Sequence, residues 1–363
     1  MHRSIRLSAS LSTAAALATL AACESDGTLN LTVTPIANTT FVQRNLVGDV
    51  TLYGAVTVDP NLVNPWGLAF ASSGALWVAN NGTGTATVYA QNGAKLQPTV
   101  TVPSAVEGEP GVPTGMIANA SPDFVIPGTG AGPALGAATF ILAGEDGTIS
   151  AWNTNTGSSA VLVADRSAQG AVYKGIAMAL NGTASRLYLT NFTGNSIDVF
   201  DAGFTFVTSF TDPTIPVGYG PFGIQTIGNQ LYVTYAKQHG PENEDDEPGI
   251  GNGFVDVFTP AGGLVRRFAS RGMLNSPWGI AVAPAGFGKF GGNILIGNFG
   301  DGTIGAYDPA TGGFIETLRA PSGVPITIPG LWALGFPANS STLFFTSGPG
   351  DESHGLVGTL TTR

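Results

Sequence analysis

Carboxylates gather in a few short segments of this chain: Glu145 and Asp146; Glu242, Glu244, Asp245, Asp246 and Glu247; Asp301; Asp351 and Glu352. Oxygen ligands at this density suit a hard divalent cation, calcium before others. Glu145, Asp146, Asp245, Asp246 and Asp351 are the candidate metal ligands. His239 and His354 fall in the same segments, where an imidazole could bind zinc or transfer a proton. The stretch HGPENEDDEPGIGNG, residues 239–253, places five acids within six positions. Such a run repels itself unless a cation or basic partner relieves it, and it lacks the alternating ligands of an EF-hand loop. The competing reading is that charge collects wherever the chain meets solvent. A second set, Asn80, Asn191, Tyr235, Asn298, Lys174 and Lys237, could bind a polar ligand, since amides and ammonium groups both donate hydrogen bonds. Asn equally suits a tight turn. No G-x-S-x-G nucleophile segment and no phosphate-binding glycine loop leading into a helix is present.

The elements that position these residues follow from a repeat. NPWGLAF at 64–70, LWVAN at 76–80 and TATVYA at 85–90 return as SPWGIAV at 276–282, ILIGN at 294–298 and TIGAYD at 303–308. Weaker copies start at Pro113, Lys174, Pro221 and Pro329. Equivalent points at Gly67, Gly115, Gly175, Gly223, Gly279 and Ala333 lie 48 to 60 residues apart, enough for a four-stranded antiparallel blade with its loops. The runs are short, rich in β-branched and aromatic residues, and bounded by Gly, Asn, Asp or Pro, which is a strand signature. No sustained helical period occurs. The fold expected is all-β: a six-bladed β-propeller of four-stranded antiparallel blades, with strands A to D from centre to rim. The last repeat lacks its fourth strand, and Phe41–Val50 can supply it and close the ring. A seventh blade would require a further repeat within residues 41–63 or 104–135.

Antiparallel order places the B-to-C and D-to-A loops on one face. That face therefore receives the acids above, together with Asp59, Glu107, Glu109 and Asp212, and both histidines. Trp66, Phe222, Trp278 and Trp332 start A strands, where they either ring the channel or wedge between blades. Lys174 takes the corresponding place in blade three, and with Lys237 it is expected to pair with the acids across the mouth.

The P-x-G-[IL]-A start followed by an aromatic-Val-Ala/Thr-Asn strand resembles the NHL-type propeller repeat over residues 41–362. NLVNPWGLAF and the YVTYAKQ to GNGFVDVF block resemble a group of exported bacterial propellers. The wider resemblance implies binding scaffolds, calcium-dependent lactonase-like hydrolases, or lyases. Such hydrolases use channel asparagines with acids, whereas Asn80, Asn191 and Asn298 have no acid at an equivalent strand end.

Composition narrows the partners. With 52 Gly, 24 Pro and only 10% charged residues, the chain is turn-rich, and its net charge of −10 without a basic run excludes nucleic acid. Arg3 and Arg6 precede an apolar stretch, Leu7 to Ala22, too short to span a bilayer and suited to an export signal. It ends in Leu20, Ala21, Ala22 and Cys23, which resembles a bacterial lipobox. The lone cysteine, Cys23, is then the lipidation site. Residues 1–22 are expected to be a signal peptide, 23–40 a tether and 41–363 one propeller. The expected protein is a monomeric, exported lipoprotein, held at the outer membrane if the cell has two. Its partner would be a protein, a glycan or a small polar ligand bound on the acidic face. The alternative is a calcium-type hydrolase or lyase at the channel mouth.

Overall fold

The computed structural model describes residues 39–363 except 129 and 131. The signal segment, Cys23 and residues 24–38 of the tether lie outside the described residues. Short apolar runs, bounded every few residues by Gly, Asn or Pro, yield strands that pair in order along the chain, and inner strands such as Leu76–Asn80, Phe140–Gly144 and Ile294–Asn298 are buried throughout.

Blade one comprises Pro65–Phe70, Leu76–Asn80, Thr85–Tyr89 and Lys95–Thr101; blade two Pro113–Ala118, Phe140–Gly144, Thr148–Trp152 and Val161–Asp165. Blade three comprises Tyr173–Asn181, Ala184–Asn191, Ser196–Phe200 and Phe206–Phe210; blade four Tyr219–Ile227, Gln230–Lys237, Gly253–Phe258 and Leu264–Ser270. Blade five comprises Pro277–Val282, Ile294–Asn298, Ile304–Tyr307 and Phe314–Thr317. Blade six takes Leu331–Gly335, Leu343–Ser347 and Leu356–Thr362 from the end of the chain and Phe41–Gly48 from its beginning. The fold is the expected six-bladed propeller. Its only helical segments among the described residues are short 3-10 turns, and none is long and apolar enough to cross a membrane.

Closure follows the expected route. Phe41–Gly48 pairs antiparallel with Leu356–Thr362, from Phe41 against Thr362 to Gly48 against Leu356, and Thr57–Val58 adds a parallel fifth strand outside it. The segment 104–135 holds no seventh blade. It supplies the loop into blade two, that blade's A strand and a small hairpin, Val125–Ile126 with Gly136–Ala137, on the A-to-B connection.

The repeated dipeptide at each A strand has a structural task. In every blade the pairing of A with B slips at this point, between Pro65 and Leu68, Tyr173 and Gly175, Pro221 and Ile224, Pro277 and Ile280, and Leu331 and Leu334, with the same slip in blade two. A slip of this kind re-aims a side chain away from the ladder. The glycine after it lets neighbouring A strands approach: a Cβ at Gly223 would lie 2.1 Å from the Trp278 carbonyl oxygen, and one at Gly279 2.4 Å from that of Trp332. Threonine hydroxyls then join blade to blade. Thr114 donates to the Tyr173 carbonyl (2.8 Å), Thr190 to that of Phe222 (2.7 Å), and Thr346 to that of Trp66 (2.5 Å), the last spanning the join between blades six and one.

Candidate functional site

The residues re-aimed by the six slips are Trp66, Thr114, Lys174, Phe222, Trp278 and Trp332. Four are aromatic, and they pack with one another instead of wedging between blades. Trp66 stacks on Trp332 with ring centroids 3.6 Å apart, Trp278 meets both edge-on, and Phe222 meets Trp332 edge-on at 5.8 Å. Phe299 stacks on Trp332 at 4.0 Å and Phe192 packs on Phe222 at 5.3 Å. The channel is thereby floored with aromatic rings. Two indole N–H groups are satisfied, Trp332 by the Asn64 side chain (3.0 Å) and Trp278 by the Lys174 carbonyl (2.9 Å). That of Trp66 is buried without a partner.

Lys174 is the one charge in this ring, and only 3% of its side chain is exposed. Its Nζ lies 2.5 Å from Glu145 Oε1 and 3.7 Å from Asp245 Oδ1, and stands 5.3 Å from the Trp66 ring centroid. Burial alone would favour the neutral amine. The carboxylates of Glu145, Asp245 and Asp246 outweigh it and hold the ammonium above the ordinary lysine range. Glu145 Oε2 also accepts from Asn81 Nδ2 (2.7 Å), and Asn64 Nδ2 donates to Glu352 Oε2 (2.5 Å). The B-to-C loops of alternate blades, two, four and six, thus send Glu145, Asp245 with Asp246, and Glu352 towards one ammonium.

Two of these acids carry too little compensation. Burial pushes Asp246 up, against relief from the Ser276 hydroxyl and Lys174. Burial pushes Glu352 up to about 7, with the charges of Glu145 and Asp246 adding to it and Asn64 and Lys174 opposing. Asp246 Oδ2 and Ser276 Oγ are both buried, and neither makes a hydrogen bond of good geometry. Beside Glu352 opens a cavity of about 530 Å³, lined also by Phe299, Asp301, Pro248 and Asp351. The arrangement presents carboxylates, one cation and aromatic surface together, which is the equipment for holding a polar ligand against a flat apolar floor.

The other sequence candidates are placed apart from this group. Asn80 donates to Thr85 and Thr87; Asn191 accepts from Gly194 N and donates to Asp198; Asn298 donates to Met273 O and Thr303. These bonds reach no further than the blade's own strand C or, for Asn298, the loop that leads into the blade, and they hold the turn after strand B. Asp146 accepts from Ser104 Oγ, Ala105 N and Thr148 Oγ1, clamping the loop that leads into blade two. Lys237 pairs with Glu247 at 2.6 Å within its own loop. Tyr235 is buried with its hydroxyl unpartnered, near Asp256, Asp212 and Arg267 within blade four. Asp351 is exposed on the cavity wall. Among the described residues no three His, Cys, Asp or Glu side chains are grouped as ligands of one ion.

Asn64, Asn81, Ser276, Phe192 and Phe299 were not singled out by sequence reasoning. A signal was available for most of them. Asn64 and Ser276 both precede Pro-Trp-Gly and share a left-handed φ of 45°. Phe192 and Phe299 both follow the asparagine that ends strand B.

No family model matches the chain. It is 35% identical over 334 residues to "Uncharacterized protein R648" of Acanthamoeba polyphaga mimivirus, covering 89% of this chain and 81% of that one. It is also 35% identical over 318 residues to "Uncharacterized protein L690" of the same virus, covering 84% and 82%. Among solved structures, it superposes on virginiamycin B lyase from Staphylococcus aureus with a TM-score of 0.53 at 16% identity, covering 89% of this chain and 99% of that one. A streptogramin B lyase gives 0.53 at 14% identity, over 90% and 98%. At that identity the likeness is one of fold.

Proposed function

The chain belongs to one family with the mimivirus proteins R648 and L690, and on that footing we propose that it is a non-catalytic propeller that binds a protein, glycan or small polar ligand at its acid-rimmed mouth. Neither relative carries a named activity, so the site has to carry the reading. The single observation that does so is the convergence of Glu145, Asp245, Asp246 and Glu352 about Lys174, directly above stacked Trp66 and Trp332. Aromatic faces hold flat apolar portions of a ligand, while the carboxylates and the ammonium fix its polar groups.

In the same reading Cys23 carries the lipid and keeps the exported protein at a membrane, the outer one where there are two. Its support is the order Leu20, Ala21, Ala22, Cys23 after a basic, apolar leader. Cys23→Ala is expected to move the protein from the membrane fraction to the soluble fraction; unchanged retention sinks the anchor.

The hydrolase or lyase reading has less behind it, because an ammonium already stands where the carboxylates meet. The test of binding is a glycan and peptide array probed with the wild type and with Lys174→Met and Glu145→Gln, each first checked for cooperative unfolding. Hits lost by the folded variants support the mouth as the site. Hits retained at equal strength place binding elsewhere.

A further inference from the structure

Six equivalent positions ring the channel, and five of them hold Trp66, Thr114, Phe222, Trp278 and Trp332. The sixth holds an amine, buried among rings that offer it only weak cation–π stabilisation. A lone buried ammonium is strongly unfavourable, so its place here is set by the acids around it. Those acids come from three separate loops, and they would repel one another if nothing positive stood between them.

We propose that Lys174 is the mouth's own counter-ion: its ammonium takes the position at which Glu145, Asp245, Asp246 and Glu352 would otherwise gather a divalent cation. The site is thus of a cation-binding type, with the cation supplied by the chain itself, and this deepens the reading of the mouth as a binding site on which it rests. A further observation points the same way. Asp246 Oδ2 and the hydroxyl of the fully buried Ser276 face each other and find no further partner, leaving hard oxygen donors that the ammonium, held by Glu145, does not engage. Calcium tolerates irregular sets of carboxylate and hydroxyl oxygens, so it is the ion this set would accept once the amine is removed.

The experiment titrates terbium, a calcium substitute, into the wild type and into Lys174→Met, exciting tryptophan. Trp66 stands beside Lys174 Nζ, with Trp278 and Trp332 packed against it, close enough to sensitise an ion bound in its place. The expected result is sensitised emission from the folded variant, displaced by calcium, with affinity roughly tenfold or more above that of the wild type. A folded variant with no gain overturns the proposal. If Lys174→Met unfolds without ions, recovery of a cooperative transition on adding calcium supports it; if calcium fails to restore either this variant or Lys174→Gln, it is overturned. Wild-type emission as strong as the variant's overturns it together with the metal-independent binding reading. Loss of the variant's gain alone leaves that binding reading standing.

Discussion

At the scale of single residues, the clearest consequence concerns protons. Glu352 is pushed up to about 7 and Asp256 likewise, the latter by burial and by Asp212 beside it. The unfolded chain releases these protons near the ordinary carboxylate values of 4.5 and 3.8. Between those values and about 7 the folded state therefore holds more protons than the unfolded state, so stability falls as pH rises through this window and levels off above it. Urea midpoints measured from pH 5 to pH 8 should show that decline, and Glu352→Gln should flatten part of it. An unchanged slope in the variant refutes the assignment to Glu352. Glu352 was legible from the sequence as a loop acid. Its partner Asn64 was not, because an asparagine before proline reads as a turn residue whatever lies across the channel from it.

At the scale of strands and blades, the glycine that follows five of the six channel residues decides how closely the blades approach. Gly223→Ala would drive a methyl into the Trp278 carbonyl, a backbone atom that cannot swing away. A loss of about 3 kcal/mol is expected from such overpacking. Gly286→Ala, where the nearest atom is the Ser341 Cβ at 3.4 Å, serves as the control. Equal midpoints for the two variants by chemical denaturation would contradict the close-approach account. The strands themselves were readable because their short apolar runs and bounding turn residues are local signals. Register was not: the slip at Pro221 to Ile224 depends on what Phe222 meets in the channel, and that partner lies in another blade. Asn80, Asn191 and Asn298 illustrate the same limit, since an amide that holds a turn and one that lines a channel share one sequence signature.

At the scale of the whole molecule, the ring holds only while its two ends are paired. Phe41 is fully buried, stacked with Phe287 and Phe290 of blade five, and Asp49 caps the other end of its strand by accepting from Gly355 N (3.0 Å) and bonding His354 Nδ1 (2.8 Å). A chain beginning after residue 49 is expected to expose the edge of Leu356–Thr362, lose cooperative unfolding and aggregate. A soluble, cooperative transition in that truncation, followed by circular dichroism on heating, would count against the closure as the source of stability. The missing fourth strand of the last repeat announced this arrangement in the sequence. The sequence set Lys174 against acids across the mouth; what it withheld was that the loops of alternate blades supply them, because that depends on how six twisted sheets are arranged around one axis.

The pairing of Phe41 with Thr362 also sets a timetable. The first strand of the propeller to be synthesised has only the two-residue Thr57–Val58 beside it until Leu356–Thr362 follows. Blades one to five can form from contiguous segments as they emerge, but blade six cannot, so the ring stays open until Leu356–Thr362 has emerged. Until that strand appears the ring keeps an open edge, and resistance to proteases is expected only once it has paired.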